Sequence, residues 1–381
     1  MKVLHLINTL SAGGAELHLL TLCRHLKRQG IELVVACLKE NVKGSRSLRA
    51  DFETEGFRII DLKADGRYSF RFLRPLVGLV KNERPDIVHT HLPRADFAIF
   101  LARFFYPSIL WISSVHDIHS QSWSARWALP LFDFVWRRAD GVIAISHAVK
   151  NWLVTDHRVP SEKVSVIHYG IDAERFVRAS NAAREPRDMN GEPVVGSIGR
   201  LEPRKGHACL IEGMSEVCKA APGAKLVIAG ADTWDYGKEL ELLIDRLGLQ
   251  DRVRLIGFQS DVASFFGSLD VFAFASRAEG FGQVIIEAMA AGKPVVASRV
   301  PPLTEIVVHG KTGLLMEPDN PQAFADAIAW LFAHPEEARE MGRHGQERVH
   351  TYFSAPRMAD ETLRLYRSLA RTSNYAIAPF K

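Results

Sequence analysis

The run Val194-Val-Gly-Ser-Ile198-Gly199-Arg200-Leu-Glu-Pro-Arg-Lys205-Gly206-His207 passes from an apolar stretch, through a basic loop, into a helical pattern over His207–Lys219. Val194–Ile198 carries little inside–outside alternation, as expected of a strand covered on both faces. Strand, loop and helix in that order form the repeating unit of a parallel, doubly wound sheet. Forward of it the spacing predicts strands at Lys225–Ala229, Val253–Ile256, Val271–Ala275, Pro294–Ala297 and Gly313–Met316. Backward lies a polar stretch, Arg178–Pro193, and then a second alternation with strands at Lys2–Ile7, Leu33–Leu38, Arg58–Asp61, Ile87–Thr90, Ile109–Val115, Gly141–Ala144 and Val164–Ile167. Helical patterns intervene, such as Ala15–Arg28 and Trp127–Arg138, and Pro321–Phe332, Pro335–Tyr352 and Ala355–Arg371 close the chain. The expected fold is α/β, with two Rossmann-like doubly wound domains. They span residues 1–175 and 194–354, with a linker at 176–193 and a C-terminal helix and tail at 355–381 packing back on the first domain. Two such halves place a ligand cleft between them, at the carboxyl ends of both sheets.

The 381 residues, 47% of them hydrophobic, supply material for two cores. No run reaches the ~18 apolar residues of a membrane span. The apolar stretch Val3–Ile7 is short and contains His5, so it reads as a buried first strand rather than a signal peptide. Cys23, Cys37, Cys209 and Cys218 show no C-x-x-C spacing and read as reduced, structural thiols. The histidines form no H-E-x-x-H pattern, and a net charge of +4 is too small to argue for nucleic acid. Residues 1–175 hold 24 Lys and Arg against 18 Asp and Glu, while residues 176–381 hold 24 against 26, so the first half is the one suited to an anionic partner.

Arg200 and Lys205 are five apart across a proline-containing loop, where a guanidinium fork and an ammonium point charge can meet one phosphate group. A solvated basic loop is the plainer alternative, and the position between strand and helix favours the phosphate. Further on, Ala278-Glu279-Gly-Phe281-Gly282-Gln283-Val284-Ile-Ile-Glu287-Ala-Met-Ala-Ala-Gly292 sets a carboxylate before a tight turn and a second one eight positions later, about two turns along a helix. The turn offers backbone N–H groups to an anion, and the carboxylates suit sugar and ribose hydroxyls. Alone, this run reads more readily as a polar loop before a core helix with one exposed Glu, and its company elsewhere in the chain shifts the balance. Gly13-Gly14 follows the first strand and opens a helix, a flexible turn or a close approach to a diphosphate. It is not G-x-G-x-x-G, which weakens a dinucleotide reading. His89-Thr90-His91 and His116-Asp117 end neighbouring strands, and the expectation is that they point into the cleft mouth.

The paired half-domains, Gly199-Arg200-Leu-x-x-x-Lys205-Gly206 and Glu279-Gly-Phe-Gly-x-x-x-x-Glu287-Ala-Met-Ala together resemble a GT-B glycosyltransferase, and more narrowly the retaining family 4 enzymes that use nucleotide-activated sugars. The resemblance runs from Gly13-Gly14 to Glu305-Ile-Val and Gly310-Lys-Thr-Gly313. It implies that Arg200 and Lys205 neutralise the donor diphosphate, Glu287 binds ribose, and Glu279 lies near the transferred sugar. It further implies that backbone amides of Phe281, Gly282, Gln283 and Val284 contact sugar or phosphate, that Gly13 and Gly14 approach the diphosphate, and that His116 contacts the sugar near its anomeric carbon. The base is expected near Gly257 and Phe258, and His89, His91 and Asp117 are assigned to the acceptor side. Two segments depart from many relatives. Pro301-Pro302-Leu303-Thr304-Glu305 replaces a Gly-Gly loop and stiffens it, and Tyr169-Gly170-Ile171-Asp172 reads as a hinge element that leaves the chemistry untouched.

No D-x-D triplet occurs, so fixed cations, Arg200 and Lys205, are expected to do a metal's electrostatic work with no cofactor. The resemblance implies retention at the anomeric carbon, a UDP-sugar as the favoured donor and a glycan or lipid-linked saccharide as acceptor. Arg67, Arg71 and Arg74, and the group Trp123, Arg126, Trp127, Trp136, Arg137 and Arg138, suit a peripheral contact with anionic lipid, or else form ordinary basic faces in water. The expected location is the cytoplasm, at the inner face of the membrane. A nucleotide-sugar epimerase and a non-catalytic nucleotide-sugar-binding protein are the alternatives on the same scaffold.

Overall fold

The computed structural model describes residues 1–40, 46–64, 71–118, 129–182, 191–233 and 235–372. Arg67, Trp123, Arg126 and Trp127 of the lipid-contact reading lie outside these, as do residues 183–190 of the expected linker.

Two compact units are present: one holds Met1–Gly170 together with the C-terminal helix, and the other is Ile171–Ser354. The first contains β1 (Lys2–Ile7), α1 (Gly14–Arg28), β2 (Glu32–Cys37), α2 (Arg49–Thr54), β3 (Arg58–Asp61), α3 (Leu73–Glu83) and β4 (Ile87–His91). It continues with α4 (Pro93–Ala102), β5 (Trp111–Val115), α5 (Leu129–Arg138), β6 (Gly141–Ala144), α6 (His147–Thr155) and β7 (Val164–Val166). Its strands form one parallel sheet in the order β3-β2-β1-β4-β5-β6-β7, with Val3 in register with Leu33 on one side and Ile87 on the other. Val3, Leu4, Leu6 and Ile7 of β1 are fully buried, because helices cover both faces of a parallel sheet. Each such side chain stabilises the fold by about 2 kcal/mol.

The second unit contains α7 (Ala173–Ala182), β8 (Val194–Ile198), α8 (His207–Ala220), β9 (Lys225–Ala229), α9 (Gly237–Leu247), β10 (Val253–Leu255) and α10 (Val262–Gly267). There follow β11 (Val271–Phe274), α11 (Gln283–Ala290), β12 (Val295–Ser298), α12 (Leu303–Ile306), β13 (Leu314–Met316), α13 (Pro321–Ala333) and α14 (Pro335–Tyr352). Its parallel sheet runs β10-β9-β8-β11-β12-β13. The final helix, α15 (Ala355–Thr372), belongs to the first unit. Met358, Ala359, Leu363 and Tyr366 of α15 join Val3, Leu22, Leu26 and Ile87 in one buried cluster.

In both sheets the strand order reverses at the first strand, β1 beside β4 and β8 beside β11. Helices leave in opposite directions at such a switch point, so the loops beyond the strands' carboxyl ends diverge and leave room for a ligand. Gly13 and Gly14 follow β1, Arg200–Gly206 follow β8, and Ser276–Gly282 follow β11.

Several expectations need correction. Residues 173–182 of the first-domain end and linker form α7, which packs on α10 and α11, with Phe176 meeting Phe266 at 6.2 Å between ring centroids. The polar composition there is the solvent face of an amphipathic helix. Trp136 is buried to 1% exposure and donates its Nε1–H to Asp96 at 3.0 Å, so it belongs to the core and not to a lipid-facing surface. Thr90 Oγ1 donates to the other Asp96 oxygen at 2.5 Å and accepts from Trp111 Nε1 at 2.7 Å. Burial pushes the Asp96 carboxyl up to about 6, against the hydrogen bonds from Thr90 and Trp136. The four cysteines are free thiols, three of them buried.

Candidate active site

The basic loop of the second unit begins at Gly199 and ends at Gly206, whose φ of +69° is a left-handed conformation that suits glycine. A Cβ there would stand 2.0 Å from the Ala275 carbonyl oxygen, so the β8–α8 loop lies directly against the end of β11. Arg204 ties the two loops together. Its Nη1 donates to the Ala278 carbonyl at 3.0 Å, and its own carbonyl accepts from Arg277 N at 2.9 Å. Glu202, buried to 7% exposure, takes the Arg204 guanidinium at 3.2 Å and the more exposed Arg200 at 3.4 Å.

This clamp delivers Lys205 to Glu279. Lys205 Nζ lies 2.6 Å from Glu279 Oε1, with the two side chains only 12% and 10% exposed. Ser276 Oγ donates to the same oxygen at 2.7 Å. Burial alone would raise the Glu279 carboxyl, but the charges of Lys205 and Arg204 and the hydrogen bonds outweigh it and hold the group below its usual value. Glu279 is therefore a fixed carboxylate. His207, at the start of α8, is fully buried with Nε2 3.2 Å from the Arg200 carbonyl, and burial lowers it to about 4, so it is neutral.

After Glu279 the chain turns through Phe281, which is buried and packs on Phe353 at 5.9 Å. Gly282 has φ +104°, and a Cβ on it would meet Leu303 Cδ2 at 2.6 Å. The Phe281 side chain of this turn faces the core, and the glycines on either side of it are buried with it. The first amides of α11, at Gln283 and Val284, have no intrahelical acceptor. Because α11 begins at Gln283, Glu287 sits one turn into the helix rather than two. Gln283 Nε2 donates to Glu287 Oε1 at 2.9 Å, and burial raises the Glu287 carboxyl to about 7 against that hydrogen bond. Past β10, Gly257 has φ +66° and Phe258 is 54% exposed, a flat surface open to stacking. Arg348 donates to the carbonyls of Glu305 at 2.8 Å and Ile306 at 2.7 Å.

In the first unit, Gly13 is the N-cap of α1 without a side-chain cap, and Gly14 is exposed. Glu16 in that first turn is buried, accepts from Thr9 Oγ1 at 3.3 Å, and is raised to about 7 by burial against that bond and one from its own backbone. The expected acceptor-side histidines do not face outward. His89 is fully buried between Tyr366 OH at 2.6 Å and Ser114 Oγ at 2.7 Å, and His91 is fully buried between His5 and His116. Strand-end polar residues turned inward here because β1 and β5 present polar partners beside them. His116 is 8% exposed, with Nδ1 2.6 Å from Tyr169 OH. Tyr169 was expected to leave the chemistry untouched; it instead holds the one histidine assigned to the sugar. Asp117 is half-buried and accepts from Ile118 N at 2.8 Å. Sequence reasoning missed His5, His18, Arg204, Ser276 and His207. Only Arg204 and Ser276 left a signal, as neighbours of Lys205 and Glu279.

Two doubly wound sheets, with a lysine–carboxylate pair and a glycine turn at one switch point and an open helix start at the other, define an enzyme scaffold for phosphate-bearing ligands. Residues 12–175 match Glycosyltransferase Family 4, and residues 180–348 match Glycosyl transferases group 1. The lipopolysaccharide core biosynthesis mannosyltransferase LpsB of Rhizobium meliloti is 30% identical over 246 residues, 62% of this chain and 68% of that protein. The capsular polysaccharide biosynthesis glycosyltransferase CapM of Staphylococcus aureus is 27% identical over 334 residues, 84% and 87% of the two chains. Among solved structures, Anabaena Alr3699/HepE in complex with UDP-glucose has a TM-score of 0.85 at 25% identity, covering 97% of this chain and all of that one. The chain belongs to glycosyltransferase family 4 and is a glycosyltransferase of GT-B architecture.

Proposed function

We propose that this glycosyltransferase moves a hexosyl group from a nucleoside-diphosphate sugar, with a UDP-sugar favoured, onto a glycan or a lipid-linked saccharide, and that the anomeric configuration is retained. The observation that carries this reading is the buried Lys205–Glu279 pair beside the open start of α11. A cation, a fixed carboxylate and the first amides of α11 within a few residues suit a diphosphate bonded to a sugar. The likeness to Alr3699/HepE, solved with UDP-glucose, supports uridine as the base. LpsB and CapM, by their names enzymes of lipopolysaccharide core and capsular polysaccharide biosynthesis, support a saccharide acceptor.

In the proposed reaction the acceptor oxygen attacks the anomeric carbon on the face from which the diphosphate departs. The bond from that carbon to the β-phosphate oxygen breaks, and the acceptor proton passes to the phosphate. Lys205 and the exposed Arg200 offset the charge that grows on the diphosphate, the electrostatic part a metal plays in other transferases. Glu287 takes the ribose hydroxyls, Phe258 stacks near the base, Glu279 orients the sugar, and His116 contacts the sugar near its anomeric carbon. Among the described residues no helix is long and apolar enough to cross a membrane. The exposed Arg71, Arg74, Arg137 and Arg138 support a peripheral contact with anionic lipid on the cytoplasmic side.

The test is a thermal-shift panel of UDP, GDP, ADP and their sugar conjugates, run in EDTA and in magnesium. A ligand that binds the native state alone raises the midpoint by mass action. A selective shift with UDP and UDP-sugars that persists in EDTA is the expected result. No shift with any nucleotide at millimolar concentration overturns the reading.

A further inference from the structure

The first unit contains five histidines packed around the switch point of its sheet. Register sets His5 of β1 beside His89 of β4, with His91 two residues further along the same face. His116 follows β5, and His18 of α1 stacks on Tyr169 at 4.2 Å. Within this group one linear series of hydrogen bonds stands out. His5 Nδ1 lies 3.0 Å from His91 Nε2, His91 Nδ1 lies 3.1 Å from His116 Nε2, and His116 Nδ1 lies 2.6 Å from Tyr169 OH. All four rings are at most 8% exposed.

A bond between two imidazole nitrogens needs one N–H and one lone pair, and a neutral imidazole has one of each. Burial lowers His5 to about 3 and His91 well below its usual value, so these two rings are neutral at physiological pH. Direction then propagates. If His5 carries its proton on Nδ1, His91 must accept at Nε2 and carry its own on Nδ1, and His116 must do the same. If His5 carries it on Nε2, all three do. The three tautomers are therefore locked together. The far end decides between them, because His5 Nε2 is buried with no hydrogen-bond partner among the described residues. A buried N–H without an acceptor is rarer than an acceptor without a donor. The common tautomer is Nδ1–H.

We propose that His91 and His5 are positioning residues for glycosyl transfer: an imidazole relay that fixes the tautomer of His116 and the direction of its bond to Tyr169. His116 then meets the sugar as a rigid neutral ring, donating to Tyr169 and accepting from His91. The second arm of the cluster, Tyr366–His89–Ser114, closes on itself and stands outside the relay. This inference rests on the placement of His116 at the transferred sugar.

The relay is tested on the full chain carrying 15N-labelled histidine, by long-range ring correlation NMR at neutral pH. The expected result is Nδ1–H for His5, His91 and His116 alike. Mixed tautomers, an imidazolium in the series, or one stoichiometric transition-metal ion by elemental analysis overturns the relay without any variant. Kinetics then tests its role. His91→Phe, which can neither donate nor accept, is expected to lower kcat/KM for the donor about tenfold. His91→Gln keeps one donor and one acceptor and is expected to recover most of it. Equal kcat/KM in His91→Phe and the native enzyme overturns the positioning role. Failure of the underlying reading looks different: His116→Ala with native turnover removes His116 from the site while the tautomer result stands.

Discussion

Lys205 Nζ and Glu279 Oε1 meet at 2.6 Å, although 74 residues separate them in the chain. They come from the loops after β8 and β11, which are neighbours in the sheet, and both are largely withdrawn from water. A buried pair of this kind does two things at once. It satisfies two charges that would otherwise be stranded, and under the proposed function it holds a cation for the departing diphosphate.

The two roles separate by mutation. Lys205→Ala strands the Glu279 carboxylate, so stability should fall by roughly 3 kcal/mol, and turnover by about 10²-fold or more. Replacing both partners with apolar groups, Lys205→Met with Glu279→Leu, removes the stranded charge and should restore most of the denaturation midpoint while turnover stays lost. Chemical denaturation and steady-state rates on the two proteins decide it. A double variant that regains both would make the pair structural only. Arg200, exposed and held only loosely by Glu202, should behave differently: Arg200→Ala should lower turnover with a change in stability under ~0.5 kcal/mol.

Glu287 has its carboxyl raised to about 7 by burial, so near neutral pH it is partly protonated. A carboxylate accepts hydroxyl hydrogen bonds more strongly than a carboxylic acid. Nucleotide affinity should therefore weaken as pH falls through 7, and Glu287→Gln should bind more weakly with that pH dependence removed. Titration calorimetry with UDP at pH 6 and pH 8 measures both. A Glu287→Gln protein with native affinity and native pH dependence would place ribose recognition elsewhere.

Stability should also depend on pH through Glu16. Its carboxyl lies near 7 in the fold against a usual value of 4.5, with burial as the cause. The folded state binds that proton more tightly than the unfolded chain does, so the associated stability is full below about 4.5 and is lost as pH rises through 7. The span corresponds to roughly 3 kcal/mol. Glu287 acts in the same window, so Glu16→Gln should flatten only part of the slope. Urea midpoints at pH 5 and pH 8 supply the comparison, and an unchanged slope in Glu16→Gln would show that Glu16 stays ionised.

Much of this could be read from the chain itself, for a physical reason. Strands buried on both faces, such as Val194–Ile198, read as unbroken apolar runs, and each is followed by a loop whose composition reports its ligand. Arg200, Lys205 and Glu279 lie in two such loops, and Glu287 lies one turn into the helix that follows the second. The histidine relay was not visible. His5 sits within an apolar strand, and its partner His91 is 86 residues away in β4, so nothing local marks it until the register of β1 and β4 is known. Nor does Trp136 advertise that its indole is capped by Asp96, and beside Arg137 and Arg138 it resembles a membrane anchor. The polar run around α7 misled for the converse reason, because a short amphipathic helix with few apolar positions looks like a linker.

The glycine at 206 offers the sharpest test of how the donor loop is built. Its φ is +69°, and an added Cβ would lie 2.0 Å from the Ala275 carbonyl oxygen. That oxygen is backbone at the end of a buried strand, so it cannot swing aside as a side chain would. Gly206→Ala must either strain the left-handed turn or lift the β8–α8 loop away from β11, at a cost of at least about 2 kcal/mol. Lifting the loop also draws Lys205 away from Glu279 and loosens the Arg204 contact to Ala278. The expected outcome is a lower melting midpoint together with a loss of turnover near that of Lys205→Ala, since the ammonium is displaced in one case and deleted in the other. Gly248→Ala is the control. Gly248 has a similar φ of +66° but nothing within 4 Å of an added Cβ, so it carries the strain without the collision and should leave turnover native. Equal turnover in the two glycine variants would mean that the close contact with Ala275 does not set the position of Lys205.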